Sequence, residues 1–287
     1  MKAVFKHELS SYFTSLSGYI FGAFLLLFAG IYTMAYNIKN SMANFEYVLS
    51  GMPFVFLIIV PILTMRVLAE ERRQRTDQLL YSLPLSMTGV VLGKYLAMLV
   101  IFAIPLAIVS VYPLVLSAFG SVYLPAAYGA IAGFFFLGAA LIAIGTFISS
   151  VTESQAVAAG LCFVVLLVNY FLKSLAGFVS GSALTSFVAF SLLLVLLALV
   201  FYMMTRSTFV SAALFILLET GLFIGYLFVS DTFAGLFPTL LEKLSLFARF
   251  EQFVDGIFDV TALVYFITVS GVFLFLSVQS LEKRRWS

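Results

Sequence analysis

From residue 18 to residue 280 the chain alternates between long apolar runs and short polar breaks. The runs fall at about 18–36, 52–69, 90–118, 127–150, 155–172, 184–204, 208–229 and 260–280, each close to the roughly 20 residues a helix needs to cross about 30 Å of hydrocarbon. Stretches such as "SLLLVLLALVFYMM", Ser191 to Met204, are apolar without alternation, whereas a membrane β-barrel would show short segments of period two. The pattern predicts an all-α integral membrane protein of about eight spans, a single membrane domain over residues 1–287. Pro105 and Pro113 lie inside the third run, so a kinked or tilted helix is expected there. The break between the sixth and seventh runs rests on Arg206 in "TRST".

Three further stretches have helical spacing without being spans. Residues 1–17 set Phe5, Leu9, Tyr12, Phe13 and Leu16 on one face, away from Lys2, Lys6, Ser10 and Thr14, the pattern of an interfacial helix. Residues 238–259 repeat it with Leu240, Leu244, Phe247, Phe250, Val254 and Ile257 against Glu242, Arg249, Gln252 and Asp255, which predicts an outer amphipathic segment; Gly256 offers a break before the last span. Between spans two and three, "AEERRQRTDQLLYSLPLS" gathers six charges into the eight residues from Glu70 to Asp77. Glu71 and Arg75 are spaced as an i,i+4 pair and Glu70 and Arg73 as an i,i+3 pair, with Leu79, Leu80 and Leu83 as an apolar strip. Pro84 disfavours helix at Leu83. The second span is expected to run on into this short surface helix, residues 70–83.

Composition agrees with lipid as the main solvent: 63% of residues are hydrophobic and only 10% charged, with a mean hydropathy of +1.15, more than a soluble core can hide. Cys162 and His7 are the only residues of their kinds, so no intrachain disulfide and no cysteine-based metal site is expected. The net charge of +2 gives no nucleic-acid footprint. The first apolar run is too long for the core of a signal peptide and is read as a span. With the N-terminus inside, eleven Lys and Arg fall in the cytoplasm and only Lys39, Lys173, Lys243 and Arg249 fall outside; positive residues are retained on the cytoplasmic side, so both termini are predicted cytoplasmic.

The string "EERRQRTDQLLYSLPLSMTGVVLGKYL", Glu70 to Leu96, resembles the segment of ABC-2 type transporter permeases in which an acid–base helix is followed by a Thr-Asp pair, a Leu-Leu, a Pro and a Leu-Gly-Lys. "FKHELSSYFTSLSGYIF" at Phe5, "FISSVTESQAVAA" at Phe147, and "RFEQFVDGIFDVTALVYF" through the terminal "LEKRRWS" resemble the gliding-motility-type branch of that family in the same order. Two departures stand out. Arg75 occupies a position usually held by glycine, and residues 184–229 read as an inserted helix pair in a branch that usually has six spans, which makes six the alternative count.

The resemblance implies an exporter-like permease in a bacterial plasma membrane, the inner membrane of the cell. It implies as partners ABC ATPase subunits that bind ATP and magnesium, a second copy or related permease, and membrane lipid. The coupling helix implied is residues 70–83, carrying Glu70, Glu71, Arg72, Arg73, Arg75, Thr76, Asp77 and Gln78, and "SVTESQ" is the second cytoplasmic contact implied, where Glu153 either meets the ATPase or favours the N-terminus of the fifth helix through its charge. Thr152 and Gln155 there also have the spacing of a capping box that starts the fifth helix. No cofactor, catalytic residue or metal site is expected in this chain: a P-loop needs G-x-x-x-x-G-K-[ST], and "GVVLGKY" at Gly89 has three residues between its glycines and Tyr95 in the hydroxyl position.

Inside the spans, Glu219 needs a partner or a proton, because an exposed charge there costs at least a few kcal/mol. A hydrogen-bonded glutamate facing neighbouring helices is one reading; an ion-coupled secondary transporter using Glu219 is the rival function. A membrane-embedded enzyme is a weaker rival, for no cluster of His, Asp, Glu or Ser suggests chemistry. Phe24, Phe28, Tyr32 and Tyr36 form a four-spaced aromatic strip, either packing surface or the lining of a path for an amphipathic substrate. Gly129 and Gly133 are among the G-x-x-x-G pairs that permit close helix approach.

Overall fold

A computed structural model describes residues 1–74, 86–205, 208–228 and 230–285, and no strand occurs among them. Helix α1 (Lys2–Thr14) leads into α2 (Leu16–Thr33), which ends in a π-helical turn, Met34–Lys39. Then come α3 (Glu46–Gly51), α4 (Pro53–Thr64), α5 (Ala69–Arg73), α6 (Met87–Val109), α7 (Tyr112–Ser117), α8 (Leu124–Val151) and α9 (Gln155–Phe178). The chain continues through α10 (Ala183–Thr205), α11 (Thr208–Phe228), α12 (Ser230–Phe233), α13 (Leu236–Leu244), α14 (Leu246–Val254) and α15 (Val260–Arg285). Among the described residues, seven stretches are long and apolar enough to cross a membrane: Leu16–Lys39, Pro53–Arg73, Met87–Ser117, Leu124–Val151, Gln155–Phe178, Thr208–Phe228 and Val260–Arg284. The remaining run of the expected eight is also helical, but its described apolar part, Ala183–Leu199, is shorter.

The prolines act as their chemistry demands. Pro105 lies within α6, which stops at Ser110, and Pro113 sits in the first turn of α7, where its missing N–H costs nothing. The amphipathic stretch 238–259 is two helices rather than one. They part at Ser245, whose hydroxyl accepts the Ala248 N–H at 3.1 Å, and Gly256 ends the second at φ +80°, a conformation glycine adopts without strain.

The chain divides into two compact units, residues 1–170 with 249–287, and residues 171–248. In the first, Phe56 of α4 stacks on Phe134 of α8 with centroids 4.5 Å apart. Phe102 of α6 meets Phe56 edge-on at 5.6 Å, and Phe250 lies 5.8 Å from Phe134. Lipid tails are as apolar as these side chains, so helices in a bilayer associate through close packing at small residues. Helix α8 supplies them: a Cβ on Gly138 would overlap Phe102, one on Gly145 would overlap Thr64, and one on Gly133 would come within 2.6 Å of the Phe253 ring. In the second unit α10 and α11 pack together, with the Phe187 ring 5.0 Å from that of Tyr226, and Ser186 accepts the Phe237 N–H at 3.3 Å.

Candidate functional site

The site begins where α4 ends. The second span does not run straight on as expected: after Thr64 the backbone turns through residues 65–68, with Leu68 at φ −126° and ψ −33°, before α5 starts at Ala69. The turn is stable because its exposed donors find a partner on another helix. Ser149, near the end of α8, accepts the N–H groups of both Leu68 and Ala69 at 3.1 Å, the service an N-cap side chain normally performs from within its own helix.

Lys94, in the second turn of α6, is only 2% exposed. Its ammonium donates to Glu8 of α1, to Glu71 Oε1 of α5 at 2.7 Å and to the Val67 carbonyl at 2.9 Å. Three donors meet three acceptors, so a charge that would be costly alone is fully bonded. Helix α1 can deliver Glu8 because α6 offers it a flat seat: a Cβ on Gly93 would lie 3.2 Å from Val4. Tyr12 is buried one turn further along α1 and donates to the Leu63 carbonyl at 3.1 Å. Burial, then the charge of Glu8, pushes its hydroxyl well above the usual phenol range, so it remains a donor at any physiological pH. The inner face of α1 therefore runs through Val4, Glu8 and Tyr12, while Phe13 and Leu16 of the expected apolar face are exposed.

Within α5 the charges sort by direction. Glu70 pairs with Arg66 at 2.8 Å, rather than with Arg73 as its spacing also allowed; the i−4 guanidinium reaches it with two nitrogens, the stronger fork geometry. Glu71 points to Lys94, and Arg72 is buried with its Nη1 donating to the Thr152 carbonyl at 3.2 Å. Arg73 and Gln74 are exposed. Arg75, Thr76, Asp77 and Gln78, with the expected Glu71–Arg75 pair and the leucine strip to Leu83, lie outside the described residues. Glu153 is exposed and pairs with Arg284 of α15 at 3.1 Å, and Ser280 donates to the Ser150 carbonyl at 3.1 Å. Thr152 closes α8 instead of opening α9: its hydroxyl donates back to Ile148 at 3.0 Å, and α9 starts only at Gln155, which places the cap at Ser154.

The intramembrane candidates are elsewhere. Phe24, Phe28, Tyr32 and Tyr36 form a continuous ladder with centroids 5.1, 6.4 and 6.1 Å apart; all are half-buried, and Tyr32 packs where a Cβ on Gly51 would reach it. Glu219 of α11 finds its partner in Ser191 of α10, whose hydroxyl donates to Oε1 at 2.7 Å.

Sequence reasoning gave no site role to Glu8, Lys94, Ser149 or Arg284. Two of them carried a signal. Lys94 is a cation set among the apolar residues of the third run, and Glu8 is the first acid of the chain, with none following until Glu46.

No curated protein matches the chain as a relative. Residues 5–181 match the model of the ABC-2 family transporter proteins, a stretch that includes Glu8, α5, Lys94, Ser149 and Glu153. With seven helices of membrane-crossing length and apolarity and a family match over more than half its length, the chain is a multi-pass permease subunit of an ABC transporter and belongs to the ABC-2 family.

Proposed function

We propose that separate ATP-binding cassette subunits drive this permease by engaging residues 70–83 and Glu153 from the cytoplasm, and that it works as an exporter, the direction taken from the family by analogy. ATP and magnesium belong to those partner chains. The supporting observation is the fixing of α5 to three other helices, through Glu71 to Lys94 and Glu8, through Arg72 to Thr152, and through Ser149 to the turn before it. A push on this segment would be shared at once by α1, α6 and α8, because packed interfaces shift between discrete arrangements rather than yielding gradually. On this reading Glu70, Glu71 and Arg72 transmit force, while exposed Arg73 and Glu153, continued by Arg75, Thr76, Asp77 and Gln78, meet the ATPase. A second permease copy or a related permease completes the path, to which the Phe24 to Tyr36 ladder offers an aromatic face for an amphipathic substrate. The bacterial plasma membrane is the expected setting.

The test is co-purification in mild detergent with the cognate ATPase subunits. Arg73→Glu, exposed and outside the Lys94 cluster, should reduce recovered ATPase by about tenfold, a loss of about 1.4 kcal/mol, with the unfolding temperature unchanged. Full retention of the ATPase by Arg73→Glu combined with Glu153→Lys overturns the docking assignment.

A further inference from the structure

We propose that the loop after the first span holds a hard, oxygen-liganded cation of the sodium and calcium size class, bound between Asn37 and Glu46. Asn37 lies in the π-helical turn and is 6% exposed; Glu46, the first residue of α3, is 5% exposed. The Asn37 amide nitrogen donates to the Met42 carbonyl at 2.7 Å and to the Asn44 carbonyl at 3.3 Å, which fixes the amide's orientation and folds the loop over it. Asn44 in turn donates to Glu46 Oε1 at 3.3 Å. Beside those bonds two buried acceptors, Asn37 Oδ1 and Glu46 Oε2, are left without a hydrogen-bond partner.

Both leftover atoms are oxygens, and one belongs to a carboxylate. A buried carboxylate needs a counter-charge, yet Lys39, the basic residue of this loop, is exposed and makes no ion pair with Glu46. A carboxylate, a carboxamide oxygen and neighbouring main-chain carbonyls are the ligands that hard cations take, and nitrogen and sulfur ligands are absent from the pair. The local backbone is shaped for it: Ser41 adopts φ +52°, and π turns and left-handed non-glycine residues gather at functional sites. Asn40, Ser41 and Asn44 are exposed, which gives an ion a route from water. One carboxylate points to modest affinity, in the range of about 10⁻⁴ to 10⁻³ M known for weak extracellular calcium modules.

The experiment uses the full chain in detergent, with unfolding temperature measured in choline, sodium, potassium, magnesium and calcium chloride at equal ionic strength. Sodium or calcium should raise Tm by about 5 °C over choline, magnesium should not, and Glu46→Gln should abolish the rise. Asn44→Asp, at an exposed position, adds a second carboxylate beside Glu46 and should tighten calcium binding, measured by equilibrium dialysis with radioactive calcium, by about tenfold. The proposal is overturned if neither ion binds or stabilises the unmodified chain, if Glu46→Gln keeps the full response, or if Asn44→Asp leaves calcium affinity unchanged. A Glu46→Gln chain more stable than the parent in choline, with no response to any cation, identifies a proton as the counter-charge and overturns it as well.

Discussion

Lys94 and Glu219 are both ionisable groups set in apolar helices, and the chain holds them in opposite ways. Lys94 is bonded to α1, to α5 and to the turn between α4 and α5. Glu219 is bonded to one serine of the helix that packs beside it. A charge whose partners lie on several elements fixes those elements relative to one another, so moving one drags the rest. Glu219 reaches its neighbouring helix through Oε1 alone, its Oε2 being buried without a hydrogen-bond partner, and so ties together that one pair.

Removing Lys94 should have the largest effect. Lys94→Met leaves Glu8 and Glu71 facing each other and should destabilise the first unit by about 3–5 kcal/mol, read as a large fall in unfolding temperature. Replacing all three together, Glu8→Leu, Lys94→Met and Glu71→Leu, should restore stability to within about 1–2 kcal/mol of the parent, since a buried ion cluster is often no better than packed hydrocarbon. If the cluster transmits force, this restored variant should still bind ATPase subunits yet lose substrate-dependent ATP hydrolysis. A triple variant with full coupling would reduce the cluster to a structural device.

Breaking the other side of the contrast should cost less. Ser191→Ala takes the donor from Glu219 and should destabilise by about 1–3 kcal/mol, with faster amide exchange confined to α10 and α11. Glu219→Gln should leave ATP-driven transport intact; transport that survives ATP depletion and stops with this variant would restore the ion-coupled reading. Smallest of all is Glu153→Gln. Its pair with Arg284 is exposed on both sides, so the stability change should stay below about 1 kcal/mol, and any larger loss of ATPase binding would report docking alone.

The spans were legible because length and apolarity suffice to identify them, and the prolines marked the break after α6. The partners of the charges were not. Glu8, Glu71 and Lys94 lie in three separate parts of the sequence, Lys94 among apolar residues, and nothing local says that they converge. Glu70 had two candidates at helical spacing, Arg66 and Arg73, and only the geometry of the turn before α5 selects the first. Ser149 was invisible for a related reason: it caps a helix that it is far from in sequence, whereas cap signals are read from adjacent residues. Thr152 misled in the reverse direction: it stands at capping-box spacing from Gln155, the first residue of α9, yet it closes the helix before.

Phe253 fills the notch over Gly133, yet it leaves the ribosome long after α8 has entered the bilayer. Gly138 and Gly145 face no such wait, since Phe102 and Thr64 are made before them. The nascent chain can thus assemble α4, α6 and α8 early but must carry an unfilled furrow on α8 until its C-terminal third arrives. A translation stop in that interval would strand a half-closed intermediate, the kind of surface that membrane quality-control proteases remove.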